Sequence, residues 1–464
     1  MTMRRTKIVA TIGPACDAPG VLRDVLAAGV DVARLNGSHG TRAELERRLA
    51  AVRSEADALG RIVGVLLDLP GPKLRVGEMA DGVVLSDGAA FRLDTAECRG
   101  DAAHACLTYA GLASDVKPGD RILLDDGAIE LVVEAMHGDH VATRVVRGGP
   151  LSSHKGVNVP GVRLAVDGVT AQDLELLQWG LDQGVDMVGQ SFVRSAEDVA
   201  RLRAAMGGRP VPIVAKVEKH EALADLDTII GAADAVMVAR GDLAVEVSAE
   251  AVPPAQRHIV AACRKAGKPV IVATQMLESM VSSPRPTRAE ASDVATAVFE
   301  GADAVMLSEE TAIGSFPVQA VGTMDRVCRS AEEAAEPVFE PQAGGGSAAP
   351  VAAAAVDLAR DTGALAIVTT TQSGATARAV ARLRPPQPIV GLAAVATIAR
   401  ALALVWGVIP VVGAAPSTIE EATVEALDVV RALALAGAGQ RVVLTAGTTS
   451  GVAGSSDLVR VLTV

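Results

Sequence analysis

Short aliphatic runs alternate with stretches of helical period along the first two thirds of the chain, and this rhythm constrains the fold more than any single residue. The runs lie at 7–12, 30–35, 62–67, 187–193, 212–217, 235–239, 269–273 and 304–307. Helix-period stretches such as 42–59, 196–206, 253–266 and 288–299 follow most of them. A strand buried on both faces reads as an unbroken aliphatic run. Eight such strands alternating with helices predict a closed parallel (β/α)8 barrel of the TIM type. Half the residues are hydrophobic but only 2% are aromatic, so the core must be made of Val, Leu, Ile and Ala.

One gap breaks the rhythm, between the third and fourth runs. There, Asp81-Gly82, Asp87-Gly88 and Asp126-Gly127 separate short alternating strands such as 121–124 and 141–146. That pattern predicts an inserted small β-barrel domain at 71–158. It leaves the barrel after a strand's carboxyl end, where barrel active sites lie, so it is expected to act as a lid. The barrel itself is assigned to 1–70 and 159–335. Gly344-Gly345-Gly346-Ser347 reads as a linker. Beyond it, strands at 366–371, 388–392, 409–412, 441–444 and 458–462 alternate with helices at 351–360, 376–383, 396–406 and 419–435. These predict a separate open-sheet α/β domain over 347–464.

Charge and composition exclude several partners. The formal net charge is −12, and an acidic chain repels nucleic acid and anionic lipid. The longest apolar stretch, 401–415, contains Pro410 and falls short of the ~20 residues that span a bilayer. The five cysteines are scattered, without zinc-ligand spacing, as expected of reduced thiols in a cytoplasmic protein.

Residues just past the carboxyl ends of barrel strands converge on one mouth. In order these are Thr11; Arg34, Asn36 and Ser38; Asp68, with Arg75 beyond it; Ser191 and Arg194; Lys216 and Glu218; Arg240 and Asp242; Thr274 and Glu278; and Ser308 and Glu310. Glu218 and Asp242 end adjacent strands. Two carboxylates with few imidazoles suit a hard cation, Mg²⁺ or Mn²⁺; rim salt bridges are the structural alternative. Lys216 lies two residues before Glu218, so both side chains point to one side of the strand. A lysine inside the mouth is costly unless it meets an anion, and Arg34 adds a second cation. Two cations and a metal around one pocket suit phosphoryl transfer, where charge gathers on the moving group's oxygens.

Ten ordered strings now carry a resemblance: KIVATIGP (7–14), RLNGSHG (34–40), DLPGPKLRVG (68–77), KGVNVPG (155–161), SFVR (191–194), AKVE (215–218), MVARGDLAVE (237–246), ATQMLESM (273–280), PTRAEASD (286–293) and MLSEETAIG (306–314). The chain resembles the pyruvate kinases over the barrel and both edges of the insertion, and more loosely at 369–378 and 447–457. The resemblance implies transfer of the phosphoryl group of phosphoenolpyruvate to ADP, giving pyruvate and ATP in the last step of glycolysis. It implies metal ligands at Glu218 and Asp242, a transition-state cation at Lys216 and a phosphoryl partner at Arg34. Gly241 and Thr274 match substrate contacts. Arg75 and Lys155 match nucleotide-phosphate ligands, with Thr11, Pro14, Asn36 and His39 completing the nucleotide region. Ser308 and Glu310 match the relay that protonates the enolate. A homotetramer is implied as well.

Departures from the family pattern are Gly37 for an aromatic residue, which loosens the loop of Asn36 and Ser38; Ala244 for a glycine; and Glu309 for a small residue. Many relatives hold K⁺ through positions matching Asn36, Ser38, Asp68 and Leu69 and carry Glu where this chain has Lys73. An ammonium there stands in for K⁺ and repels it, so K⁺-independent activity is expected. Thr369, Thr371, Ser373, Gly374 and Thr376, with Thr448, Thr449 and Ser450, resemble a sugar-phosphate or nucleotide effector pocket, because hydroxyls and free N–H groups at a helix N-terminus bind anions. Two other readings stand beside this one: another metal-dependent phosphoenolpyruvate or aldolase barrel, and a non-catalytic effector-binding paralogue.

Overall fold

A computed structural model of the chain describes residues 3–335, 348–414, 416–447 and 456–464; the linker expected at 344–347 lies outside them. Eight parallel strands close a barrel: β1 (Lys7–Thr11), β2 (Val32–Asn36), β3 (Gly64–Leu69), β4 (Met187–Gln190), β5 (Ile213–Val217), β6 (Ala235–Ala239), β7 (Val270–Ala273) and β8 (Ala304–Leu307). Each pairs with the next in sequence, and β8 pairs with β1 to close the ring. The register sets the functional side chains at one height: Thr11 lies opposite Arg34, and Asn36 opposite Asp68.

Local chemistry fixes the helices between strands. Arg42–Ala58 and Arg288–Glu300 both open on a threonine capping box, Thr41 with Glu44 and Thr287 with Glu290. Such caps satisfy two backbone N–H groups that the helix leaves open. The second helix ends on Gly301 at φ 93°, a conformation glycine adopts without a Cβ penalty.

The strand expected at 187–193 stops at Gln190. Phe192 takes φ 55°, so the chain turns there and re-aims Ser191 and the Phe192 N–H at the mouth. The helix expected at 396–406 likewise stops at Leu402. The next residues, Ala403 and Leu404, join the cluster of Val9, Leu66, Val214, Met237 and Ile271 inside the barrel. The C-terminal unit thus supplies part of the barrel's floor. Lys7 Nζ at the foot of β1 donates to Val408 O at 2.7 Å. At Gly64 an added Cβ would lie 2.6 Å from Arg400 O, so that contact requires glycine.

Between β3 and β4 the chain forms a curled six-stranded sheet and a two-stranded ribbon around its own core, which includes Phe91, Leu93, Ile122, Leu124, Ile129 and Leu131. The C-terminal sheet has five strands in the order Val408–Val412, Ile389–Ala393, Ile367–Thr371, Arg441–Gly447, Ser456–Thr463. The last is antiparallel to its neighbour. Among the described residues no helix is long and apolar enough to cross a membrane.

Candidate active site

Asp68, the penultimate residue of β3, is the hub of the mouth. Its Oδ2 accepts from Arg34 Nε at 2.7 Å and meets Lys216 Nζ at 3.2 Å. Burial pushes the Asp68 carboxyl up, but Lys216 and Arg34 together outweigh burial and hold it below the ordinary carboxylate value. Arg34 also donates to Thr11 Oγ1 at 2.9 Å. Asp68 Oδ1 is buried with no hydrogen-bond partner among the described residues. It faces Gly189, where an added Cβ would stand 2.9 Å away.

Lys216 is 8% exposed and bridges the strands. Its ammonium meets Glu218 Oε1 at 2.9 Å and donates to Ser191 Oγ at 2.7 Å, and that hydroxyl donates to Leu69 O at 2.7 Å. Burial opposes the charge on Lys216, but Asp68 and Glu218 hold the ammonium above the ordinary lysine value. Glu218 takes the Phe192 N–H at 2.7 Å on its other oxygen. Burial pushes the Glu218 carboxyl up to about 6; Lys216 pulls it down and the nearby charge of Asp242 adds to the rise.

Across the mouth, the loop after β7 carries two residues in the left-handed region, Thr274 at φ 68° and Gln275 at φ 54°. A β-branched residue there costs roughly 1–3 kcal/mol and persists only when its surroundings enforce it. Arg240 enforces it. Its guanidinium donates to Thr274 O at 2.6 Å and to Gln275 O at 3.2 Å, and pairs with Asp293 at 2.5 Å. Thr274 Oγ1 in turn accepts the Gly241 N–H at 2.8 Å. The two expected substrate contacts therefore hold each other in this conformation. Beside them, both oxygens of Glu310 are taken by backbone N–H groups, Leu277 at 3.0 Å and Ser308 at 2.6 Å. Burial raises the Glu310 carboxyl, with a contribution from Glu278 rather than Glu309. Ser308 Oγ is buried and has no hydrogen-bond partner among the described residues.

A cavity of about 630 Å³ opens over these groups, lined by Asp242, Thr274, Ser308 and Glu310 below and by Lys73, Arg121, Asp126 and Arg147 from the side of the inserted sheet. Glu246 ties the two sides together, accepting from Asn158 Nδ2 at 3.1 Å and Lys219 Nζ at 2.5 Å.

Several expected site residues are engaged elsewhere. Arg75 donates to His154 O at 2.9 Å, and Lys155 pairs with Asp125 at 2.8 Å. Asn36 accepts the Ser38 N–H at 3.1 Å, and Ser38 and His39 are exposed. Burial, then Arg75, Lys73 and Arg34, hold the His39 imidazole below its usual value. Pro14 is exposed at the start of a short 3₁₀ turn. Leu69 is buried. Lys73 Nζ lies near Gly156, 3.9 Å from where a Cβ would stand, and forms no ion pair among the described residues. Gly37 sits in a packed position: an added Cβ would meet Asp68 O at 2.8 Å and Leu176 Cδ2 at 2.3 Å, so the backbone at the end of β3 crowds any side chain here.

In the C-terminal unit, Thr369 Oγ1 is buried and donates to Val390 O at 3.2 Å. Thr371 is buried as well. Gly374, at φ 80°, precedes the helix Ala375–Arg382, and Thr376 Oγ1 bonds Ser456 Oγ at 2.5 Å. Thr448, Thr449 and Ser450 lie outside the described residues. Arg240, Asp293, Glu246 and Asn158 were not assigned roles from sequence, although the strings MVARGDLAVE, PTRAEASD and KGVNVPG contain them.

The fold and the mouth define a class: a phosphotransferase built on a (β/α)8 barrel, with basic groups buried among carboxylates under a curled β-sheet. Two family descriptions match the chain, the pyruvate kinase barrel domain over residues 3–321 and the pyruvate kinase alpha/beta domain over 349–462. The chain is similar to pyruvate kinase 2 of Synechocystis sp., at 45% identity over 99% of this chain and 79% of that protein. It is 44% identical to the pyruvate kinase of Mycobacterium intracellulare over 99% of this chain and 98% of that one. With the pyruvate kinase of Geobacillus stearothermophilus it shares 43% identity over 99% of this chain and 80% of the relative. The chain belongs to the pyruvate kinase family, enzymes that move the phosphoryl group of phosphoenolpyruvate to ADP.

Proposed function

We propose that this mouth carries out that transfer with Lys216 and Arg34 as the cations that receive the phosphoryl oxygens. The observation that carries the reading is the buried Lys216 ammonium, held charged between Asp68 and Glu218. A fixed cation of this kind needs no reorganisation as charge develops on the moving group. The Thr274–Gly241 pair holds the substrate's reacting end, and Arg240 positions that pair. Ser308, whose hydroxyl has no partner among the described residues, serves the protonation of the enolate, and Glu310 fixes its loop.

Glu218 and Asp242 hold the divalent cation, Mg²⁺ or Mn²⁺. They offer hard oxygen donors; burial raises the Glu218 carboxyl, the nearby charge of Asp242 adds to the rise, and a cation between the two would relieve that repulsion. When bound, such an ion polarises the phosphoryl oxygens as a Lewis acid. The inserted sheet, residues 71–158, acts as the lid. Arg75 and Lys155 are its nucleotide ligands, released from His154 and Asp125 when ADP binds. Lys73 lines the cavity and keeps an ammonium at the site, which supports K⁺-independent turnover. An effector at the loop 371–376, a homotetrameric assembly and a cytoplasmic location complete the reading.

A coupled assay of pyruvate formation from phosphoenolpyruvate, ADP and Mg²⁺ tests it. Lys216→Met is expected to abolish turnover with an unchanged circular dichroism spectrum; undiminished turnover in that variant would refute the role. The same assay with and without KCl is expected to give equal rates. Strong activation by K⁺ would overturn the assignment of Lys73.

A further inference from the structure

Two residues beyond Glu218, His220 opens the short helix His220–Ala224, with Glu221 next to it. About one helical turn beyond Asp242, Glu246 lies on the helix Arg240–Val247. The segments after β5 and β6 thereby bring an imidazole and two carboxylates together. His220 Nδ1 stands 3.1 Å from Glu221 Oε2 and 3.6 Å from Glu246 Oε2. One ligand-capable atom of each residue lies within 4.8 Å of the other two.

These three atoms are buried, and none has a hydrogen-bond partner among the described residues. The 3.1 Å contact is short enough for a hydrogen bond but is not aligned as one. A single buried polar atom left unmet costs about 1–3 kcal/mol, so three that face one another point to something between them. Glu246 is 7% exposed. Its other oxygen, Oε1, accepts from Asn158 Nδ2 at 3.1 Å and Lys219 Nζ at 2.5 Å, which aims the free oxygen at His220. Outer contacts of this kind orient a carboxylate that holds a metal. A protonated His220 would balance the charge, but with its N–H aligned on neither carboxylate it would leave both oxygens without a donor.

Spacing and donor type choose the ion. Ligands 2.0–2.2 Å from a tetrahedral Zn²⁺ lie roughly 3.3–3.6 Å apart, close to the two separations seen. One imidazole with two carboxylates suits Zn²⁺ better than Mg²⁺, which takes oxygen ligands. Lys219 offsets one carboxylate, so one negative charge remains to attract the ion. The His220 side chain is 33% exposed, which gives the ion a way in.

We propose that His220, Glu221 and Glu246 form a zinc site separate from Glu218 and Asp242, with water as the fourth ligand. Bound there, the ion fastens the segments after β5 and β6 to each other. Through Glu246 and Asn158 it also fastens them to the strand Val157–Asn158 at the end of the inserted sheet.

The test is equilibrium dialysis of the metal-stripped full chain against Zn²⁺, with Mg²⁺ in large excess to fill the mouth and bound zinc measured by atomic emission. One zinc equivalent is expected in wild type, Asp242→Asn and Cys98→Ser, and is expected to be missing from His220→Gln and Glu221→Gln. In the two Gln variants the half-saturating Zn²⁺ should rise by more than the roughly 100-fold that loss of an outer contact can cost. Two variants at separate positions guard against misfolding of either. Cys98→Ser controls for the other group of possible ligands, Asp94, Cys98 and His104, whose carboxylate is already paired with Arg92 at 2.7 Å. No zinc on wild type, or undiminished zinc in either Gln variant with a wild-type circular dichroism spectrum, would overturn the proposal. An equivalent lost only in Asp242→Asn or only in Cys98→Ser would place the ion elsewhere and overturn it too.

Discussion

Single residues at the foot of the barrel show how charge was placed before any site was built. Asp31, just before β2, pairs with Arg4 at 2.8 Å and Lys7 at 3.9 Å and accepts the Ile8 N–H at 2.8 Å. Burial pushes its carboxyl up, but Arg4 and Lys7 outweigh burial and hold it below the usual value. An acid depressed in the folded state stabilises the fold above its unfolded value of ~3.9 and loses that contribution as pH falls through the lower folded value. Asp31→Asn leaves the buried Lys7 without a carboxylate partner and Arg4 with Asp325 alone, and is expected to cost about 3 kcal/mol at neutral pH. The gap from wild type should close as unfolding is measured at successively lower pH below ~3.9; a gap constant with pH would show that the carboxylate charge is not what matters.

At the scale of elements, strands that end where the aliphatic run ends were legible. The runs 235–239 and 304–307 match β6 and β8. Periodicity failed where tertiary contact overrides it. Val193 continues the aliphatic run, but the turn at Phe192 is imposed by Glu218 from a neighbouring strand. The groups gathered at the mouth were legible because each lies at or just past a strand's carboxyl end. The brace between Arg240 and Asp293 was not, since partners 53 residues apart leave no periodic trace. That brace sets the left-handed pair Thr274-Gln275. Arg240→Lys keeps a charge but cannot span Thr274 O, Gln275 O and Asp293 together. It is expected to lower kcat about 10²-fold, the usual scale for a misplaced binding group, with Tm little changed. Stopped-flow or steady-state kinetics beside calorimetry separates the two effects; a Tm loss with normal kcat would make the brace purely structural.

Across the whole molecule, the barrel does not fill its own floor. Ala403 and Leu404 from the C-terminal unit pack among Val9, Leu66, Val214 and Met237, and nothing in the local sequence around 403–404 distinguishes them from the end of an amphipathic helix. Leu404→Ala leaves a cavity inside the barrel rather than at a domain surface, and is expected to cost about 2–5 kcal/mol. Denaturant unfolding monitored separately for the two units should show both shifting together; a loss confined to the C-terminal unit would contradict a shared core.

That borrowed floor bears on how such a protein can change over generations. The inserted sheet has a core of its own, so a homologous insertion can be exchanged by recombination at its two strand-end crossings without disturbing the barrel's interior. The C-terminal unit offers no such freedom. Whatever replaces it must bring a side chain of matching shape for the space beneath Leu66 and Met237, and a neighbour for Gly64 that comes as close as Arg400 O does. Barrel and C-terminal unit are therefore inherited as one packed object, while the inserted sheet is free to diverge by itself.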